Sequence, residues 1–92
     1  TISGSDISNT TGIERMRIAG NGNVGIGTTT DISASPAKLQ IASTTSGFLP
    51  PRMTTTQKNA ISVPVEGLIV YDTTLHKLCV YTGSAWETIT SL

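Results

Sequence analysis

Alternation of apolar and polar residues marks the first strands of the chain. Residues 14–18 read ERMRI, and residues 24–27 resume the alternation as VGIG. A period of two is typical of a strand with one buried face. Between the two runs lie Asn21 and Gly22, and Asn-Gly is a strong signal for a tight turn in which both central residues have positive φ. The pattern predicts a β-hairpin at about residues 14–28.

The middle of the chain combines a short strand with a short helix. Residues 38–42 (KLQIA) alternate again and predict a strand. Pro50 and Pro51 exclude both a helix and a central strand over residues 44–53. Thr54 and Gln57 then have the spacing of a capping box, in which two side chains satisfy free amides at a helix start. We therefore expect a helix at about residues 55–62.

The last third predicts a three-stranded antiparallel meander at about residues 67–90. Residues 68–71 (LIVY) and 78–81 (LCVY) repeat one pattern, and a third strand begins at Trp86 after a turn that contains Gly83. We expect Asp72 to cap the first connection, and His76 to tolerate positive φ there better than most residues do. The apolar positions of all predicted strands define the expected core: Ile18, Val24, Ile26, Val70, Tyr71, Val80, Tyr81 and Trp86.

The composition suggests that this core is shared with other chains. Only 37% of the 92 residues are hydrophobic and 13% are charged, with a formal net charge of zero. A short chain with so few apolar residues buries little surface by itself. It has no cluster of Lys and Arg for nucleic acid and no apolar run that could insert into a membrane. We expect two parts, a shaft-like β segment at 1–43 and a small β domain at 44–92.

Three patterns could carry chemistry, and each has a simpler structural explanation. Gly20, Gly22 and Gly25 match a dinucleotide-binding fingerprint, but that motif must lead into a helix, whereas this chain continues as a strand. His76 and Cys79 are too few for a metal site within one chain, although three copies of His76 could meet at the axis of a trimer. The scattered carboxylates form no facing pair of the kind that a glycosidase needs. The sequence thus predicts no catalytic residue, no cofactor and no metal.

The aromatic residues have two interpretations. Tyr71, Tyr81 and Trp86 could stack on a sugar ring, which would make the chain a carbohydrate-binding module. Burial in the core is the favoured interpretation, because a chain with four aromatic residues gains most stability by burying them.

Two stretches resemble phage tail fibres and related phage structural proteins. The first is ERMRI at 14–18 followed by GNVGIGTT at 22–29, and the second runs from GFLPPRMT at 47–54 through GLIVYD at 67–72 to Trp86. The resemblance implies a mainly β homotrimer with neighbouring fibre domains, extracellular in the virion, that contributes to host attachment through a glycan or protein. It implies no enzyme. A carbohydrate-binding module and, third, a glycan hydrolase carried by the fibre are the alternative hypotheses.

Overall fold

A computed structural model gives the structure of residues 6–8, 14–28 and 31–90. The chain divides into two compact units, Thr1–Phe48 and Leu49–Leu92. Each unit contains one four-stranded sheet. The described residues are mainly β with one short helix, which confirms the predicted fold class.

The sheet of the first unit contains four short strands in chain order. They are β1 (Asp6–Ser8), β2 (Glu14–Ile18), β3 (Val24–Ile26) and β4 (Leu39–Ile41). The β1–β2 and β2–β3 pairs are antiparallel, and the β3–β4 pair is parallel. The predicted hairpin and the predicted strand at 38–42 are therefore both present.

The turn of the hairpin differs from the predicted one. The amide of Ala19 donates to the carbonyl of Asn23, so the loop contains three residues rather than two. Of the predicted pair only Gly22 has positive φ, at 93°. A three-residue loop needs positive φ at its last position only, and glycine supplies it there. The expectation that Asn21 also has positive φ was wrong.

One side of this sheet is covered by the loop at 31–37. The side-chain amide of Asn23 donates to the carbonyls of Ile32 and Ser35, at 2.9 and 3.1 Å, which fixes the loop on the hairpin. Ile32 is 2% exposed and lies against Gly25, where a Cβ would come within 3.1 Å of the Ile32 Cδ1. The absence of a side chain at Gly25 therefore leaves the space that the buried Ile32 occupies.

The second unit joins the predicted meander to one further strand. Its strands are β5 (Arg52–Met53), β6 (Ile69–Asp72), β7 (Lys77–Tyr81) and β8 (Trp86–Thr88), in that spatial order. β6, β7 and β8 are antiparallel, as predicted. β5 lies at the edge of the sheet and pairs with β6 in parallel. The prolines before it have no N–H to donate, and an edge position tolerates this because only one side of the strand needs partners.

A single turn of helix, α1 (Thr55–Asn59), covers one side of the second sheet. Thr54 and Gln57 form the predicted capping box. The helix ends earlier than expected, with Ala60 as its C-cap. Val63 has a φ of 48° and precedes a proline, so no helix can extend through it.

The connection between β6 and β7 has the predicted chemistry. The Asp72 Oδ1 accepts hydrogen bonds from the amides of Thr74 and Leu75, at 2.9 and 3.0 Å. His76 has a φ of 57° and is exposed. Asp72 thus caps this turn, and His76 takes the left-handed position.

Candidate functional site

The first unit has an apolar sheet face that its own loop does not cover. Residues directly opposite each other in paired strands share a face of the sheet. The register therefore places six apolar residues on one face, here called open face 1: Met16, Ile18, Val24, Ile26, Leu39 and Ile41. Ile26 and Ile41 are each 40% exposed and Leu39 is 54% exposed. The loop at 31–37 lies on the opposite side, with Gly25.

The second unit repeats this arrangement. The register aligns Ile69 with Val80 and Tyr71 with Leu78 on the side of the sheet away from α1, here called open face 2. Ile69 is 47% exposed, and the other three side chains are half-buried. Each sheet therefore has one side covered by its own chain and one apolar side that a partner could cover. Apolar surface of this kind marks a site of protein association.

Opposite charges border open face 2 at its two edges. Arg52 on β5 is level with Tyr71, and Glu87 on β8 is level with Val80, so both share the face with the apolar residues. Both are exposed, and neither makes an ion pair within the part of the chain that the structure describes.

The covered side of the second sheet contains a buried ion pair. The Lys58 Nζ lies 3.0 Å from the Asp72 Oδ2, with 5% and 0% of the two side chains exposed. The same ammonium is 3.7 Å from the Cys79 Sγ and 5.7 Å from the centre of the Trp86 ring. Thr55 adds a hydrogen bond of 2.7 Å from its hydroxyl to the Asp72 Oδ2. A polar contact beside Cys79 and Trp86 thus holds α1 on the sheet.

The carboxyl group of Asp72 is held in its ionised form. Burial acts to raise its pKa, but the hydrogen bonds from Thr55, Leu75, Lys58 and Thr74 outweigh burial and lower the pKa to about 2. The described residues contain no buried side-chain nitrogen or oxygen without a hydrogen-bond partner. This satisfied and enclosed cluster is suited to holding α1 in place.

The predicted core residues lie in different environments in the single chain. Val70 is 2% exposed, and Tyr81 packs edge-on against Trp86 with ring centres 5.3 Å apart. Tyr71 and Val80 lie on open face 2, while Ile18, Val24 and Ile26 lie on open face 1. Burial of these five residues in a core shared by several chains remains a prediction.

The structure gives little support to a dinucleotide site at the glycines or to a metal site at His76. Gly20 and Gly22 lie in the hairpin loop, and His76 lies on an exposed turn. Within residues 6–8, 14–28 and 31–90, no three His, Cys, Asp or Glu side chains converge as metal ligands, and no pocket is found. Nor does any helix of these residues have the length and apolar character needed to cross a membrane.

Sequence reasoning missed the partners of Lys58 and the edge positions of Arg52 and Glu87. Lys58 and Asp72 are 14 residues apart, and only the packing of α1 on the sheet brings them together. The sequence did indicate which residues share a face. Neighbouring residues of a strand point to opposite sides of the sheet, so Val80 lies on the side opposite to Cys79, and Glu87 lies on the side opposite to Trp86.

One family model matches residues 25–92, and its description is a phage tail like trimerisation region. The match begins within β3 and includes β4 and the whole of the second unit. Comparison with curated proteins and with solved structures found no match.

Proposed function

Because this chain belongs to the family of phage tail like trimerisation regions, we propose that it holds three fibre chains together and presents their loops for host attachment. The chain is a structural component of a phage tail and forms a trimer. We further propose that the chain contributes to host attachment, lies on the outside of the virion and has no catalytic role.

The observation that carries the proposal is the pair of open apolar faces. A trimer of these chains can bury open face 1 and open face 2 against other copies, which compensates for the small core of each single unit. Association also protects sheet edges and apolar surface from unwanted contacts.

We assign contact with a host to exposed residues within the segments 28–36, 43–53 and 72–77. Phe48 and Leu49 are 68% and 69% exposed in the second of these, and Leu75 is 45% exposed in the third. Three copies of one loop on a single stalk would bind a repetitive cell surface with high avidity even where each contact is weak.

Competition for adsorption tests the attachment role. Host cells are incubated with the purified full chain, and adsorption of the phage that encodes it is then counted. The proposal expects the wild-type trimer to reduce adsorption. It expects Leu75→Glu, within the loop at 72–77, to compete less well than Val65→Glu, which lies outside the three loops and is 63% exposed. Unchanged adsorption in the presence of excess trimer would leave the chain a purely structural role.

A further inference from the structure

We propose that open face 2 is the contact between copies of this chain, with the β5 edge of each copy beside the β8 edge of the next. In this arrangement Arg52 of one copy pairs with Glu87 of its neighbour around a threefold axis. The inference rests on the proposed function, because it assigns the surface through which the trimer forms.

The composition of the face is the first argument. Ile69, Tyr71, Leu78 and Val80 occupy the centre of the sheet, and the charged residues Arg52 and Glu87 occupy its two edges. An apolar centre with a polar rim is the usual anatomy of a protein–protein interface. On the other side of the sheet, Lys58 of α1 already contacts Asp72 and Cys79, whereas nothing in the described residues of this unit occupies the centre of open face 2.

The size of the sheet fits three copies. Four strands spaced about 4.8 Å apart make a sheet about 19 Å wide, and three such sheets can form the sides of a triangular prism. The distance from the centre of that triangle to each side is about 5.5 Å, close to half of the roughly 10 Å that separates two packed sheets. One layer of side chains from each sheet therefore fills the interior without leaving a channel.

The two edge charges complement each other between copies. A ring of three copies is built from contacts between unlike surfaces, so one edge of each sheet meets the opposite edge of its neighbour. Arg52 and Glu87 lie on opposite edges of one sheet, about 14 Å apart across three strand spacings, and they do not pair with each other within one copy. Along the strands they are offset by two residues, about 7 Å, a distance that an extended arginine side chain spans. Rotation about the threefold axis brings the positive edge of one copy to the negative edge of the next.

The first test is a substitution at the centre of open face 2 in the full chain. Light scattering across a dilution series measures the mass of the assembly. Ile69→Glu should raise the concentration at which the trimer dissociates by about 100-fold or more, because three carboxylates would enter an apolar interior. Val65→Glu is the control, since Val65 is 63% exposed against 47% for Ile69 and lies outside the strands that form the face. It should leave the dissociation concentration within about twofold of the wild type. Circular dichroism of the monomer shows whether Ile69→Glu still folds.

Charge reversal tests the pairing of the edges independently of that variant. Arg52→Glu and Glu87→Arg should each weaken the trimer, and the double variant should restore it, because like charges meet in the single variants and opposite charges meet again in the double one. A trimer unaffected by Ile69→Glu, or a double variant weaker than both single ones, would overturn the inference while leaving the trimer itself in place. A wild-type chain that is monomeric or dimeric at every concentration would instead contradict the trimeric role.

Discussion

At the scale of single residues, the least expected feature is the ion pair between Lys58 and Asp72. Removing two charges from water is costly, and the cost is recovered only where hydrogen bonds satisfy the remaining donors and acceptors. Here Thr55 and two backbone amides complete the coordination of the carboxylate. The pair therefore specifies where the one-turn helix lies on the sheet. The five helical residues have too little apolar surface to fix that position by hydrophobic packing.

The pair predicts a particular dependence of stability on pH. The pKa of Asp72 is lowered from 3.8 to about 2 in the folded chain. A group with a lowered pKa stabilises the fold fully above its ordinary pKa and loses that contribution as the pH falls through the folded value. The apparent Tm should therefore fall between about pH 4 and about pH 2, with no loss from this group between about pH 7 and about pH 5.

Asp72→Asn tests this assignment. The variant should have a lower Tm than the wild type at neutral pH and a flatter decline in the acidic window. Asp31→Asn is the control, because hydrogen bonds from Ser33 lower the pKa of this exposed carboxyl as well and give it a smaller effect of the same sign. An acidic decline that is equally steep in wild type and Asp72→Asn would contradict the role of this group.

At the scale of elements, both sheets are built from strands of two to five residues. Such strands provide few ladder hydrogen bonds, so close contacts between backbone segments matter. Gly27, which follows β3, has a φ of 78°, and its missing Cβ would lie 2.5 Å from the carbonyl oxygen of Ala42. The parallel pairing of β3 with β4 thus requires a glycine where the two strands end.

Gly27→Ala should destabilise the first unit by on the order of 2 kcal/mol, because both the positive φ and the contact with Ala42 are strained. Gly20→Ala is the matched control, since a Cβ there has no atom within 4 Å. Urea unfolding of the full chain measures both. Equal unfolding free energies for the two variants would show that the approach of the two backbones does not require glycine.

At the scale of the whole molecule, each of the two sheets leaves apolar residues exposed on one side, namely Ile26, Leu39 and Ile41 on open face 1 and Ile69 on open face 2. Open face 1 and open face 2 together contain ten apolar residues, counted as six and four. We expect other copies to bury these residues, which would link the folding of each chain to assembly.

This linkage predicts that thermal stability depends on protein concentration. Dissociation into three chains is favoured by dilution, so a tenfold dilution should lower the Tm by on the order of a few degrees. Differential scanning calorimetry over a range of concentrations measures it. A Tm independent of concentration, in a sample that light scattering shows to be trimeric, would mean that the fold does not depend on the assembly.

Local patterns were enough to predict most elements of the fold. The hairpin, the capping box at Thr54, the turn at Asp72 and the meander depend on residues a few positions apart, whose preferences act over the same short range. The three-residue hairpin loop was missed because Asn-Gly is compatible with more than one type of turn, and short-range preferences do not decide between them. The edge strand β5 was missed because two residues carry no alternation.

The sequence by itself determined the strands, the short helix and the likeness to phage fibres, because these follow from periodicity, turn chemistry and runs of characteristic residues. The tertiary structure alone decided which apolar positions are buried within one chain and which stay exposed. That division depends on the register of the strands and on which side α1 and the loop at 31–37 cover. Residues far apart in the chain, such as Arg52 and Glu87, share a face only because the register of the strands places them there.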